Sequence, residues 1–338
     1  MMRCWALFFA ITALTLTAAA AEAQPAADFY KGKTVTLLNG FGPGGENDLW
    51  SREVTRFMPK YLPGNPTMVT QNVPGAGTLL LANQLYNTVP KDGLAFGLIS
   101  RGIPLEPLFN GPGVQFDPQK FNWIGSPDKD VQVCVARKDA AVQKMEDLFT
   151  KELVVGATGS GADTQVMPEV LSRLLGMKFK IVSGYPGSNE ILLAVERGEV
   201  QGICVAYASV QRQTLFREGK LNILFQASLK ADPNLANVPV GSDLAKTPAD
   251  RAALELFLGR AELGRPFVAP PGVPADRVKA LRDAFQQALK DPQLVEDTTR
   301  EKLTVRAITG EDIQAVLTKL YATPPDVVKR VAAALGRK

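Results

Sequence analysis

Residues 34–50 read TVTLLNGFGPGGENDLW, and the fold follows from how that stretch divides. Val35 to Leu38 is a short apolar run of the kind that forms a buried strand. The turn GFGPGG at 40–45 can take positive φ and bring its backbone close to a ligand. Glu46, Asn47 and Asp48 supply helix-start chemistry, and Leu49, Trp50, Val54, Phe57, Met58 and Tyr61 recur behind them at helical spacing. A strand, a glycine turn and a helix start together aim backbone N–H groups and the helix dipole at an anion. The anion read here is a carboxylate.

The same grammar continues on either side. PGNP at 63–66 is a turn, TMVTQN at 67–72 alternates as a strand does, and VPGAG at 73–77 is a second glycine turn. Thr78 is placed to cap a helix through Leu79 to Tyr86, and a third strand, Ala95 to Ser100, ends at Arg101. Strands separated by helices predict a parallel α/β domain. Residues 103–125 are rich in Pro and Gly and read as irregular. A second α/β domain opens with a strand at Val131 to Arg137 and a short helix at Met145 to Thr150. In it Leu153 to Ala157 leads through TGSG (158–161) to a helix starting at Ala162 to Thr164 and ending at Leu175. Phe179 to Ser183 leads through GYPGSN (184–189) to a helix over Glu190 to Arg197, then a strand over Val200 to Tyr207. Leu221 to Ala227 is read as a strand returning the chain to the first domain, followed by loop from Lys230 to Thr247. An extended passage over 267–274 then introduces C-terminal helices that cap the sheet. The expected division is 1–23 leader, 24–126 with 221–338 as a discontinuous first domain, and 127–220 as the second.

A chain of 338 residues is long enough for two such cores, and 46% hydrophobic with 21% charged residues is an ordinary soluble balance. The net charge of +4 is mild and unclustered, which argues against nucleic acid as a partner. The absence of histidine removes the commonest general base, the commonest zinc ligand and the usual hydrolase triads. Met1 to Arg3 is basic, Trp5 to Thr17 apolar, and AEA at 21–23 a small-residue cleavage site, so export with cleavage near Gln24 is expected, Cys4 leaving with the leader. Cys134 and Cys204 each sit in an apolar, strand-like run. They are either two buried thiols or, in an oxidising compartment and on neighbouring strands, a disulfide.

Five segments in order carry a family resemblance: FYKGKTVTLLNGFGPGGENDLW (29–50), QNVPGAGTLLLANQLYNTVPKDGLAFGLIS (71–100), ATGSGADTQV (157–166), GYPGSNEILLAVERGEVQG (184–202) and FVAPPGVPADRVKAL (267–281). They resemble the periplasmic solute-binding proteins of tripartite tricarboxylate transporters, the Bug receptors. The likeness spans nearly the whole chain after the leader. It implies a two-lobed Venus-flytrap, the type II periplasmic binding protein fold, and no cofactor. It also implies a monomer that takes a small organic carboxylate from the periplasm and hands it to integral-membrane transporter subunits. Such folds would set Cys134 and Cys204 on adjacent antiparallel strands, which favours pairing without deciding it. Two positions depart from the family pattern: Pro186 stands where a Lys often follows the turn tyrosine, and Glu46 places a negative charge beside the proposed anion site. Glu46 is expected to point to solvent from the first helical turn, where the dipole favours it.

In this reading Gly44, Gly45, Asn47 and Asp48 form one rim of the cleft, with Asp48 either capping its helix or reaching a ligand hydroxyl, water or ammonium. Gly75, Ala76 and Gly77 add N–H donors, unless they are turn residues only. Arg101 grips a carboxylate through two bonds or instead pairs with an acid such as Glu106. The opposite rim is Ser160, Gly161, Ala162 and Thr164, with Tyr185, Ser188, Asn189 and Tyr207, the tyrosines being ligand contacts or half-buried packing. Two other classes stand beside the transport receptor, a dinucleotide-dependent oxidoreductase and a sensory receptor. Gly40, Gly42 and Gly45 spell a dinucleotide fingerprint, but the following strand ends in Gln71 and Asn72 rather than an acid for the ribose. A receptor feeding a membrane sensor instead of a permease is indistinguishable from transport on sequence.

Overall fold

The computed structural model describes residues 26–129, 131–159 and 162–337. The expected leader, Ser160 and Gly161 lie outside the described residues. After α1 (Ala26–Tyr30) the chain enters β1 (Thr34–Asn39), whose Val35 and Leu37 are fully buried. Helix α2 (Glu46–Phe57) turns Trp50, Val54 and Phe57 inward, a spacing that puts all three on one face. It returns the chain to β2 (Thr67–Asn72), and α3 (Leu79–Asn87) leads on to β3 (Ala95–Leu98). Both strands pair parallel with β1, and the register sets Asn39 opposite Asn72 and Leu98. The three following loops therefore leave the sheet at one level.

The stretch read as irregular contains β4 (Asn122–Ser126), whose Trp123 and Ile124 are completely buried. Past it the chain crosses to a second sheet. Its elements are β5 (Gln132–Arg137), β6 (Leu153–Ala157), α4 (Asp163–Leu175), β7 (Phe179–Ser183), α5 (Ser188–Arg197), β8 (Gly202–Ala206), α6 (Tyr207–Gln211), α7 (Thr214–Arg217) and β9 (Leu221–Ala227). The strand order is β7-β6-β8-β5-β9. This corrects the division drawn at residue 221. β9 pairs antiparallel with β5, Cys134 standing opposite Phe225, and so closes the second sheet instead of leaving it. Without β9 the outer edge of the apolar β5 would be bare. Cys134 and Cys204 face each other across β5 and β8, both fully buried, and are joined by a disulfide.

The return follows β9. Helix α8 (Pro248–Gly259), which the sequence reading did not assign, starts where the Thr247 hydroxyl accepts the Asp250 N–H at 3.1 Å. β10 (Phe267–Ala269) then inserts antiparallel between β3 and β4. Helices α9 (Ala275–Ala288) and α10 (Pro292–Arg300) precede β11 (Ile308–Thr309). The first sheet then reads β11-β4-β10-β3-β1-β2, and α11 (Gly310–Tyr321) packs on β4. The last helix, α12 (Pro325–Ala334), does more than cap that sheet. It lies on α8 and on α4 of the second lobe, where Arg173 Nη1 donates to the Ala334 carbonyl at 2.8 Å. Just beyond it Arg337 pairs at 2.6 Å with Glu106 of the first lobe. One apolar cluster runs from Leu81 and Trp123 through Phe257 to Val170 and Phe225, joining the two α/β lobes behind their facing loops.

Candidate functional site

Two glycines shape the first-lobe rim. A Cβ on Gly40 would lie 2.8 Å from the Thr78 side chain, so the turns after β1 and β2 can meet only because Gly40 has none. Gly44 takes φ +81°, which a side chain would strain. Asp48 then locks the turn, accepting from the Gly44 N–H at 2.9 Å, Arg52 Nε at 2.9 Å, Asn72 Nδ2 at 2.8 Å and Asn39 Nδ2 at 3.2 Å. Burial pushes its carboxyl up, but the bonds from Arg52, Asn72 and Gly44 outweigh this and hold it below the ordinary value. Its lone pairs are taken, so Asp48 is a positioning residue. In the second turn Ala76 and Thr78 both have positive φ. The buried Thr78 hydroxyl does not cap α3; it accepts the Ser100 N–H at 2.9 Å and ties the second loop to the third.

The opposite rim approaches this turn directly. Asn189 Nδ2, in the first turn of α5, donates to the Gly44 carbonyl at 3.4 Å, with Ser188 half-buried beside it. Thr164 is buried and closes its own loop, its hydroxyl accepting the Thr158 N–H at 3.1 Å, while Ala162 is half-buried at the start of α4. Tyr185 and Tyr207 are half-buried against the apolar cluster of the second lobe, and the Tyr207 ring meets Phe216 edge-on at 6.0 Å. Gly45 and Asn47 lie at the start of α2, and Gly75 and Gly77 are half-buried in the second turn.

Charge runs through the cleft in two groups. Arg101 is 6% exposed, its Nε 3.5 Å from Asp163 Oδ2 at the first position of α4. Arg260 Nη2 lies 3.3 Å from the other oxygen of Asp163, and Gln132 Nε2 donates to Oδ2 at 2.5 Å. Glu106, the alternative partner considered for Arg101, is held by Arg337. The second group corrects the expectation for Glu46. Its side chain does not point to solvent: it is 4% exposed, accepts from Ser209 Oγ at 2.8 Å, pairs with Arg265 and lies 3.8 Å from Arg212. Arg265 Nη1 also donates to Asn47 Oδ1 at 2.8 Å, and its Nε is 3.8 Å from Asp128. Gln132, Asp163, Ser209, Arg260 and Arg265 were not anticipated. Asp163 carried the one usable signal, an acid at a helix start after a glycine turn.

Asp128 lies on the segment crossing from β4 to β5. Burial raises its carboxyl to about 6; Glu46 adds to the rise, and Arg265, Arg306 and Arg101 oppose it. The folded chain thus holds this proton more tightly than the unfolded chain does. Its contribution to stability is greatest at low pH and declines as pH rises through about 6. Asp128→Asn is expected to flatten the profile there, so that the melting temperature of wild type relative to the variant is higher at about pH 5 than at about pH 7. Parallel profiles would contradict the assignment. Asp48 acts the other way, its stabilisation being lost only in acid below the ordinary carboxylate range.

Two hollows differ in meaning. The larger, about 580 Å³, is lined by residues of β4, α9 and α11 on the first lobe, and among the described residues none of the second lobe lines it. The smaller lies among Arg101, Gln132, Asp163 and Arg260, between the lobes. The loop geometry, not the volume, marks the site.

Comparison with known proteins places the chain in a family and its fold among solved structures. A family described as the tripartite tricarboxylate transporter family receptor matches residues 51–332. A UPF0065 protein of Cupriavidus necator is 28% identical over 302 residues, covering 86% of this chain and 84% of its own. Another, from Bordetella pertussis, is 27% identical over 304 residues, covering 87% and 88%. Among solved structures, MatC from Rhodopseudomonas palustris with bound malate superposes with a TM-score of 0.68 at 22% identity, covering 88% of this chain and 99% of that one. The periplasmic binding protein BugD gives 0.67 at 22% identity, covering 90% and 98%. An R. palustris protein with adipate gives 0.66 at 19% identity, covering 88% and 97%.

Proposed function

The chain belongs to the tripartite tricarboxylate transporter receptor family, and from that premise we propose that it captures a small organic carboxylate between its lobes in the periplasm and delivers it to integral-membrane transporter subunits. The observation that carries the reading is the meeting of loops at strand ends from both sheets. The Asn189 side chain reaches the Gly44 backbone from the opposite lobe, and the buried Arg101 and Arg260 of the first lobe pair with Asp163 of the second. Malate and adipate in proteins of the same fold support an acid ligand. Hinge closure around the ligand is the motion this architecture uses.

Micromolar binding needs about −8 kcal/mol. Hydrogen bonds to a charged group contribute about 1.5–3 kcal/mol each, so four to six donors, less the cost of closure, reach that range. Calorimetric titration with a panel of di- and tricarboxylates is the test; no heat and no thermal shift with any acid would overturn the reading. Cell fractionation with N-terminal sequencing tests export, a mature start near Gln24 being expected. Arg101→Ala should weaken binding of the best acid by about 1.5–3 kcal/mol. Because Arg101 is buried against Asp163, the melting temperature should fall too. Unchanged affinity would remove Arg101 from the site.

A further inference from the structure

The carboxylate of Asp163, the first residue of α4, is held from both lobes. Gln132 Nε2 of its own lobe donates to Oδ2 at 2.5 Å. From the first lobe, Arg101 Nε lies 3.5 Å from Oδ2 and Arg260 Nη2 3.3 Å from Oδ1. Arg101, Arg260 and Gln132 are each less than a tenth exposed. Burial pulls the Arg260 pKa down, Asp163 is the largest influence opposing it, and Arg101 adds to the fall. A guanidinium for each carboxylate oxygen, shielded from water, is how a protein seats a small acid. In the structure that acid belongs to the chain itself.

The fit is loose. Both arginine distances exceed the roughly 2.7–2.9 Å of a tight charge-assisted hydrogen bond. Asp163 is fixed to the start of a helix and cannot settle fully on both guanidiniums, whereas an untethered carboxylate can. Space decides how such a carboxylate gets in. The hollow beside the arginines is about 10 Å³, room for a single water, and a carboxylate has three heavy atoms. A ligand carboxylate therefore reaches Arg101 and Arg260 only in place of Asp163.

We propose that Arg101 and Arg260 form a carboxylate seat in the cleft, and that Asp163 is its built-in occupant, displaced by a carboxylate of the ligand. The inference rests on the receptor reading above and deepens it, naming the residues that hold the acid and the group the acid competes with. Because Asp163 bridges to the first lobe, the same contact lets the lobes meet without a ligand between them. Affinity is then set by exchange: an acid gains only what it makes with the arginines beyond what Asp163 already makes.

The test uses the purified protein and two substitutions. Asp163→Ala removes the tethered carboxylate and leaves room for a free one, so formate at about 0.1 M should raise its melting temperature by about 2 °C or more beyond any rise in wild type. Asp163→Asn keeps the volume and drops the charge. In calorimetric titration with the di- and tricarboxylate panel, its best acid should bind at least about tenfold more tightly than to wild type. Adding Arg260→Met should abolish that gain. If Asp163 only positions the arginines for the ligand, Asp163→Asn binds more weakly; that result, or unchanged affinity, sinks the proposal and leaves the receptor reading standing. Formate acting equally on wild type and Asp163→Ala also sinks it. Should the alanine variant fail to fold, the asparagine titration decides alone. If no acid binds wild type or Asp163→Asn while formate still stabilises Asp163→Ala, the receptor reading falls and the arginine seat stands. With neither acid nor formate bound, both fall.

Discussion

Arg265→Met is expected to destabilise the protein by about 3–5 kcal/mol. The guanidinium is 4% exposed and serves three groups: it pairs with Glu46, donates to Asn47 Oδ1, and lies 3.8 Å from Asp128. Methionine fills much of the same volume, so packing changes little and the lost charge dominates. Glu46 would keep Ser209 Oγ at 2.8 Å and Arg212 only at 3.8 Å, too little for a carboxylate 4% exposed. At roughly 2 cal/mol/K per residue of unfolding entropy, a loss of that size lowers the melting temperature by about 5–8 °C. Adding Glu46→Gln should recover much of it, because the double variant no longer strands a charge. Denaturant melts of the two single variants and the double variant check this; a loss under about 1 kcal/mol for Arg265→Met would mean the pair is not formed.

The second large effect concerns the disulfide. Cys134 and Cys204 are 70 residues apart in sequence, and their bond closes β6, α4, β7 and α5 into one covalent loop. A loop of that length restricts the unfolded chain by about 4 kcal/mol. Replacing both cysteines by alanine should therefore lower the melting temperature by roughly 5–8 °C, with some further loss from the vacated sulfur volume. Binding of the best acid should hold, because both side chains are fully buried in the sheet, among apolar residues. Alkylation of denatured, unreduced protein gives a direct check: two labelled thiols would contradict the bond.

Strands bounded by turn residues were legible from sequence almost to the residue, because alternation and punctuation are local. Thr67–Asn72, Leu153–Ala157 and Phe179–Ser183 have the expected limits. Assigning Leu221–Ala227 to a lobe was not local. Its apolar run suits either sheet, and its place is decided by the open edge of β5. β4 escaped notice because NWIGS is short and follows a Pro- and Gly-rich stretch. At the site, the glycine turns and Arg101 could be singled out because their residue types are unusual where they stand. Glu46 could not, since its partners Ser209 and Arg265 lie 163 and 219 residues away. Arg260 and Gln132 gave no signal at all: one ends an apolar helix and reaches Asp163 only where the lobes meet, and the other begins a strand of Asp163's own lobe, 31 residues away in sequence.

The C-terminal helix has a mechanical meaning. It is fastened to one jaw through Arg173 and, just past its end, to the other through Glu106. Parting the jaws must stretch or slide that tether, so the reach of the swing is bounded by the tail of the chain as well as by the strands that cross between them.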